Sequence, residues 1–251
     1  TRYESSAASD VYKRQGPSFD TICGSGPNGA IIHYRANSKT NRIIKSGDLV
    51  LIDSGGQYLE GTTDITRTIG FGKVNYLKRK QYTLVLKGMI AVSKLKWPLG
   101  LTGKDLDRIH RYHLWQENLD YEHGTGHGVG SFLSVHDGPQ GISKRNEVEL
   151  KSGMIVSNEP GYYLQNSHGI RIENLLLIKE PTEKSQIEKI KTLSFETLTY
   201  CPFDRFLIVK DLLTIQEIEW INSYHQKVIK KYEARLDGEK RSWLNKICSK
   251  L

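Results

Sequence analysis

The sequence predicts an α+β fold of two related halves about a pseudo-twofold axis, with a small, mostly helical carboxy-terminal extension. Three observations predict it. First, "IKSGDLVLID" (residues 44–53) returns as "LKSGMIVSNE" (residues 150–159), each a Lys-Ser-Gly turn, an apolar run with strand character and a final acid. Second, each copy is followed by a Gly-bearing connection, "SGGQYLEG" or "PGYYLQNSHG", and then by a hairpin partner, "TTDITRTIGF" or "GIRIENLLLI". Third, residues 75–95 carry Tyr82, Val85, Met89 and Val92 at three- and four-residue steps, the pattern of a helix with one buried face. Two copies are too few for a solenoid, so the halves are expected to pack against each other.

In chain order, residues 5–15, "SSAASDVYKRQ", are the translation of a sequencing-library adapter. Residues 1–15 are therefore read as an adapter-derived scar. The main domain is expected over residues 16–199, lacking its start, and the extension over 200–251. "GSGPNG" matches a GxGxxG pattern, but Pro27 and an expected "AIIHY" strand leave no helix amino terminus to hold a pyrophosphate. The first helix should end at Trp97-Pro98. A second should start at Thr102, with Asp105 completing part of a capping box, and bury Leu106, Ile109 and His113. Beyond Thr199 a short strand is expected. A helix follows, capped by Thr214 and Glu217, with Ile218, Ile221, Tyr224 and Val228 inward, and "RSWLNKICSKL" adds a last helical turn or two.

Composition narrows the function classes. The net charge is +8, but the basic residues are dispersed or alternate in sign with acids, which argues against nucleic acid as a partner. No apolar run reaches the length of a membrane span. Three widely spaced cysteines without a CxxC pair disfavour a disulfide framework and a zinc knuckle, and point to a reducing compartment. HExxH, GxSxG and Walker A motifs are all missing.

The duplicated hairpins carry the chemistry. Asp53 echoes Glu159, and Asp64 echoes Glu173. Four carboxylates converging on the axis would raise one another's pKa, and their charge is costly to bury. Two divalent cations supply the matching positive charge. Oxygen-rich ligation with one imidazole suits Mn²⁺, and Co²⁺ or Zn²⁺ also fit. The imidazole should come from "EHGTGHGVGSFLSVHDGP", which offers His123, His127 and His136 among glycines that let backbone approach a ligand.

"GPNGAIIHY", "DSGGQYLEGTTDITRT", "HGTGHGVGSFLSVHDGP", "EPGYY" and "GIRIEN" together resemble the pita-bread metallopeptidases, specifically the Xaa-Pro aminopeptidases of the longer, three-domain type. The resemblance runs from about Pro17 to the last helix. It implies a two-metal aminopeptidase that hydrolyses the first peptide bond of peptides with proline in second position, using a water bridging the ions and acidified towards hydroxide. Asp53, Asp64, His127, Glu159 and Glu173 fall on the metal ligands, with Asp64 and Glu173 bridging. Glu159 falls on the general base. His123 falls on a group polarising the oxyanion, His136 on one assisting the leaving nitrogen, and His33 and Arg171 on the proline pocket. A cytoplasmic homodimer is implied for the full-length protein.

Asp137 departs from the glutamate usual after the last histidine. The missing start leads to an expectation of exposed apolar surface and weak activity. A prolidase or a methionine aminopeptidase would use the same five ligands. A non-catalytic pita-bread module that binds peptides or proteins would typically have lost some of them.

Overall fold

A computed structural model describes residues 14–180 and 190–251; most of the expected scar, residues 1–13, lies outside the described residues. The first half runs through β1 (Arg14–Pro17), β2 (Ile22–Ser25), β3 (Leu49–Ser54), β4 (Gly56–Tyr58), β5 (Gly61–Thr62) and β6 (Ile65–Gly70), then the long helix α1 (Tyr76–Ser93). β7 (Lys96–Pro98), α2 (Gly103–Trp115), β8 (Gly126–His127) and β9 (Gly141–Ile142) lead into the second half. That half holds β10 (Ile155–Asn158), β11 (Gly161–Leu164), β12 (His168–Arg171), β13 (Asn174–Lys179) and β14 (Thr192–Thr197). The carboxy-terminal segment adds α3 (Ile215–Tyr232) and α4 (Gly238–Ile247).

The echo in sequence is an echo in backbone. Gly47 and Gly153 both sit at φ +90°, where a side chain is strained, and both turns close by a bond to the lysine carbonyl: Asp48 N–H to Lys45 and Met154 N–H to Lys151. β3 then pairs antiparallel with β6, as β10 does with β13. The acids sit alike in both hairpins. Asp53 lies near the end of β3 and Glu159 just past β10, while Asp64 and Glu173 immediately precede β6 and β13.

The halves join at these ends. Glu173 N–H donates to the Thr66 carbonyl at 3.0 Å, and the Thr68 hydroxyl donates to the Arg171 carbonyl at 2.9 Å. Both residues of each contact belong to different halves, so the junction itself fixes the distance between the duplicated acids.

Tyr82, Val85, Met89 and Val92 of α1 are fully buried, as the periodicity requires. The inward face of α1 shares one core with Ile221, Tyr224 and Val228 of α3 and Leu244 of α4. Lys87 and Glu217, paired at 2.6 Å, fasten the start of α3 to α1. A second core around Trp97, Leu106, Ile142 and Leu176 backs the second-half sheet. Asp105 accepts from both the N–H and the hydroxyl of Thr102, which anchors the start of α2.

Two expected strands are not formed. Residues 30–34 are a turn following a 3-10 segment, Gly26–Ala30, because the Tyr34 hydroxyl and Asn28 amide both turn back to the Thr40 carbonyl. The apolar run after Thr199 instead forms two 3-10 turns, Arg205–Leu207 and Lys210–Leu212. Asp204 caps the first through Phe206 N–H and also accepts from Gly70 N–H, so the segment follows β6 instead of pairing as a strand. Ile218 and Ile109 are only partly buried, whereas His110 and Leu114 fill the inward face of α2.

Candidate metal centre

A cavity of about 470 Å³ opens where the two halves meet. All nine residues singled out in the sequence line it: the acids Asp53, Asp64, Glu159 and Glu173, the histidines His33, His123, His127 and His136, and Arg171. Phe19, Ile22, Ile32 and Val135 add apolar surface.

Asp64, His127 and Glu173 present ligand atoms within 4.8 Å of one another. His127 Nε2 lies 3.4 Å from Asp64 Oδ2 and 3.3 Å from Glu159 Oε1. Its Nδ1 faces the Gly128 carbonyl at 2.9 Å, which places a proton on Nδ1 and aims Nε2 at the acids. Ser157 holds Glu159 by a 3.0 Å bond to Oε1. Asp53, from the same half as Asp64, lines the cavity with these acids, its Oδ2 accepting from Arg171 Nη2 at 2.6 Å.

Three acid oxygens, Asp53 Oδ1, Asp64 Oδ1 and Glu173 Oε1, are buried without a hydrogen-bond partner. Buried acceptors left unsatisfied are costly. Hard oxygen donors converging beside one imidazole are the donor set a divalent cation takes, so the residues present fit the ions that the sequence implied.

The protonation pattern follows from the same crowding. Burial pushes the Glu173 carboxyl well above its usual range, and the charges of Asp64, Glu159 and Asp53 push it further. Burial likewise raises Asp53, to about 6; Arg171 opposes this, while Asp64 and Glu159 add to it. For Glu159 burial is outweighed by His127, His123 and Arg171, so its carboxyl is lowered and stays ionised. Burial disfavours the His127 cation, yet the Asp64 contact and the Glu159 charge raise this imidazole to about 9.

Several residues that shape the site were not singled out by sequence reasoning. The Tyr163 hydroxyl accepts from Arg171 Nη1 at 2.8 Å and lies 2.9 Å from His123 Nε2. His123 Nδ1 faces the Gly124 carbonyl at 2.7 Å, so Nδ1 carries the proton and Nε2 accepts from Tyr163. Thr66 donates to Glu173 Oε2 at 2.8 Å and accepts from Arg171 Nε at 3.2 Å. Arg171 is thus a clasp between Asp53, Thr66 and Tyr163 as well as a wall of the cavity.

Behind His123 stands Arg111 of α2, fully buried. It donates to the His123 and Tyr121 carbonyls, to both oxygens of Asp107 and to Asp120. A signal for Tyr163 existed: "GYYL" repeats the "GQYL" of the first half, and in both copies a Cβ on the glycine would collide with the tyrosine ring or hydroxyl.

Comparison with known proteins bears on this geometry. The profile of metallopeptidase family M24 matches residues 3–180, and that of the C-terminal region of peptidase M24 matches residues 191–251. The probable Xaa-Pro aminopeptidase P of Tuber melanosporum is 52% identical over 219 residues, 86% of this chain and 35% of the relative. That of Laccaria bicolor is 47% identical over 94% of this chain and 38% of the relative. The chain therefore spans between 35% and 38% of the length of these two curated relatives.

Among solved structures, X-prolyl aminopeptidase from Caenorhabditis elegans, described as a cytosolic enzyme with a di-nuclear active site, superposes with TM-score 0.90 at 38% identity. It covers 95% of this chain, which matches 40% of it. Prolidase from Pyrococcus furiosus superposes with TM-score 0.65 at 36% identity, over 75% of this chain and 51% of the prolidase. The paired hairpins, the acids at their ends and these likenesses agree on a pita-bread fold, and the chain belongs to metallopeptidase family M24.

Proposed function

We propose that this chain carries the catalytic region of an Xaa-Pro aminopeptidase, removing the first residue from peptides with proline in second position. The observation that carries this reading is the set of three unpartnered acid oxygens on residues that line one cavity with His127, in a chain 52% identical over 219 residues to a probable Xaa-Pro aminopeptidase P.

Asp53, Asp64, His127, Glu159 and Glu173 would hold two divalent ions, with Mn²⁺ the native pair on the strength of the carboxylate-rich donor set, and Co²⁺ or Zn²⁺ as substitutes. Such ions, when bound, supply a Lewis acid for the scissile carbonyl and an acidified water at neutral pH.

The chain's own groups supply the rest. Glu159, ionised and oriented by Ser157, takes the proton from the attacking water. Burial lowers His123 and disfavours its imidazolium, so it polarises the developing oxyanion as a neutral ring, donating from Nε2 in the tautomer that gives up the Gly124 carbonyl. His136, packed edge-on to His127 with ring centroids 4.2 Å apart, assists the leaving proline nitrogen, which takes up the proton that Glu159 received from the water. His33, Arg171 and the apolar residues Phe19, Ile22, Ile32 and Val135 enclose the proline ring. The full-length enzyme is read as a cytosolic homodimer, the location following the nematode relative described as cytosolic.

The test is release of the first residue from an Xaa-Pro-Xaa peptide by Mn²⁺-loaded chain, followed by chromatography. Glu159→Gln is expected to lose about two to four orders of magnitude in rate. An Asp53→Asn or Glu159→Gln variant as active as the parent would overturn the assignment. Cleavage confined to dipeptides would favour a prolidase, the second reading that the Pyrococcus furiosus likeness supports.

A further inference from the structure

Arg67 lies immediately after Thr66 in β6 and is 6% exposed, yet none of its hydrogen-bond partners is a carboxylate. An arginine keeps its charge in such a place, and a buried cation persists only where its hydrogen-bonding capacity is met. Here the planar fork is fully engaged. Nη1 donates to the Thr66 carbonyl at 2.9 Å and the Glu173 carbonyl at 2.5 Å. Nη2 donates to Asn174 Oδ1 at 2.7 Å, the Cys201 carbonyl at 2.8 Å and the Tyr224 hydroxyl at 3.1 Å. Nε donates to the Pro202 carbonyl at 3.1 Å, and the guanidinium carbon sits 4.7 Å from the centre of the Phe203 ring.

These partners form two groups. Thr66, Glu173 and Asn174 belong to the junction of the halves, where Thr66 also holds the Glu173 carboxylate. Cys201, Pro202, Phe203 and Tyr224 belong to the carboxy-terminal segment. The Tyr224 hydroxyl ties that second group together, accepting from Cys201 N–H at 3.0 Å and lying 3.1 Å from the Thr199 carbonyl.

We propose that Arg67 is a positioning residue that fixes Glu173 through its main-chain carbonyl, and that it makes ion binding at the junction depend on the carboxy-terminal segment. Arg67 reaches both sides with one rigid side chain, and the Asn174 amide adds a longer contact of its own to the Tyr224 hydroxyl at 3.4 Å. A shift of residues 199–203 therefore moves Glu173 and the Thr66 hydroxyl together, and with them the oxygens that face His127. The proposal rests on the metal-centre reading above and extends it to a segment that does not touch the cavity.

The experiment measures the dissociation constant of Mn²⁺ by calorimetry on chelator-treated chain, and the thermal midpoint of the same ion-free samples. Arg67→Lys keeps the charge but cannot span both groups. Tyr224→Phe removes only the hydroxyl, and covers the case in which the lysine variant does not fold. For both, Mn²⁺ affinity is expected to fall by about tenfold to a hundredfold. Tyr224→Phe should do so with an ion-free midpoint close to the parent's, an outcome a purely structural role does not give. Unchanged affinity in a folded Tyr224→Phe variant overturns the coupling while leaving the metal centre intact. A parent chain that takes up no Mn²⁺ overturns the metal-centre reading itself.

Discussion

Asp53 offers the sharpest test of the acid cluster, because its two oxygens have opposite circumstances: Oδ2 pairs with Arg171 and Oδ1 is buried with no partner. In the folded, ion-free chain its carboxyl keeps a proton up to about pH 6, against an ordinary value of 3.8. The folded state therefore binds more protons than the unfolded between those limits, and it loses stability as the pH rises from about 4 through about 6. The interval corresponds to about 3 kcal/mol. Asp53→Asn keeps the shape and an oxygen that accepts from Arg171, but it carries no charge to bury.

In chelator at pH 8 the variant should therefore be more stable than the parent by up to about 3 kcal/mol, or about 6–12 °C in thermal midpoint for a chain of this size. Near pH 4 the two should coincide. Added Mn²⁺ should reverse the order, since the parent gains a ligand for the ion and the variant lacks it. Denaturant unfolding at several pH values, with and without the ion, reads all three outcomes. A variant less stable than the parent at pH 8 without ions would refute the reasoning, because it would mean that the pair with Arg171 outweighs the burial of the charge.

Other expectations follow from the same geometry. His127, raised to about 9, contributes stability that is complete below pH 6.5 and lost as the pH rises through 9, and ion binding has to expel its proton. Mn²⁺ affinity should therefore climb between pH 7 and 9, with proton release seen by calorimetry in buffers of differing ionisation enthalpy; a flat profile contradicts this. Arg111→Met leaves the Asp107 carboxylate, itself 0% exposed, without its counter-charge and with only the Thr125 hydroxyl bonded to it, and should cost about 3–5 kcal/mol in urea unfolding. A Cβ at Gly126 would lie 2.1 Å from the Ser157 carbonyl oxygen, so Gly126→Ala should cost about 1–3 kcal/mol. Gly61→Ala, where a Cβ meets nothing within 4 Å, should stay within about 0.5 kcal/mol of the parent.

The duplicated halves were legible because one turn is written twice: Gly47 and Gly153 share φ +90°, and the acids stand at matching ends of the hairpins. The long helices were legible for local reasons, a buried face in α1 and a cap in α3 where Thr214 accepts from Glu217 N–H. The "AIIHY" and post-Thr199 runs misled because a turn wins over a strand in each: Tyr34 turns back locally to Thr40 and leaves Ile31 exposed, and Asp204 is held by the distant Gly70. The same holds within the site. Thr66, Arg67 and Ser157 look ordinary in sequence, and the meaning of the first two comes from partners 107 and 106 residues away across the junction. Tyr163 could have been found by extending the echo, since its glycine and tyrosine repeat those of Gly56 and Tyr58.

The cavity has unequal sides. Asp53, Arg171 and Glu173 are buried and interlocked with Tyr163 and Thr66, whereas His33 and His136 stand exposed on connecting segments opposite. A change on the interlocked side disturbs ion geometry at once. On the proposed reading, retuning which peptide is admitted, whether by its first residue or by its length, falls to residues 31–35 and 131–135, outside the interlocked acids and short of His136.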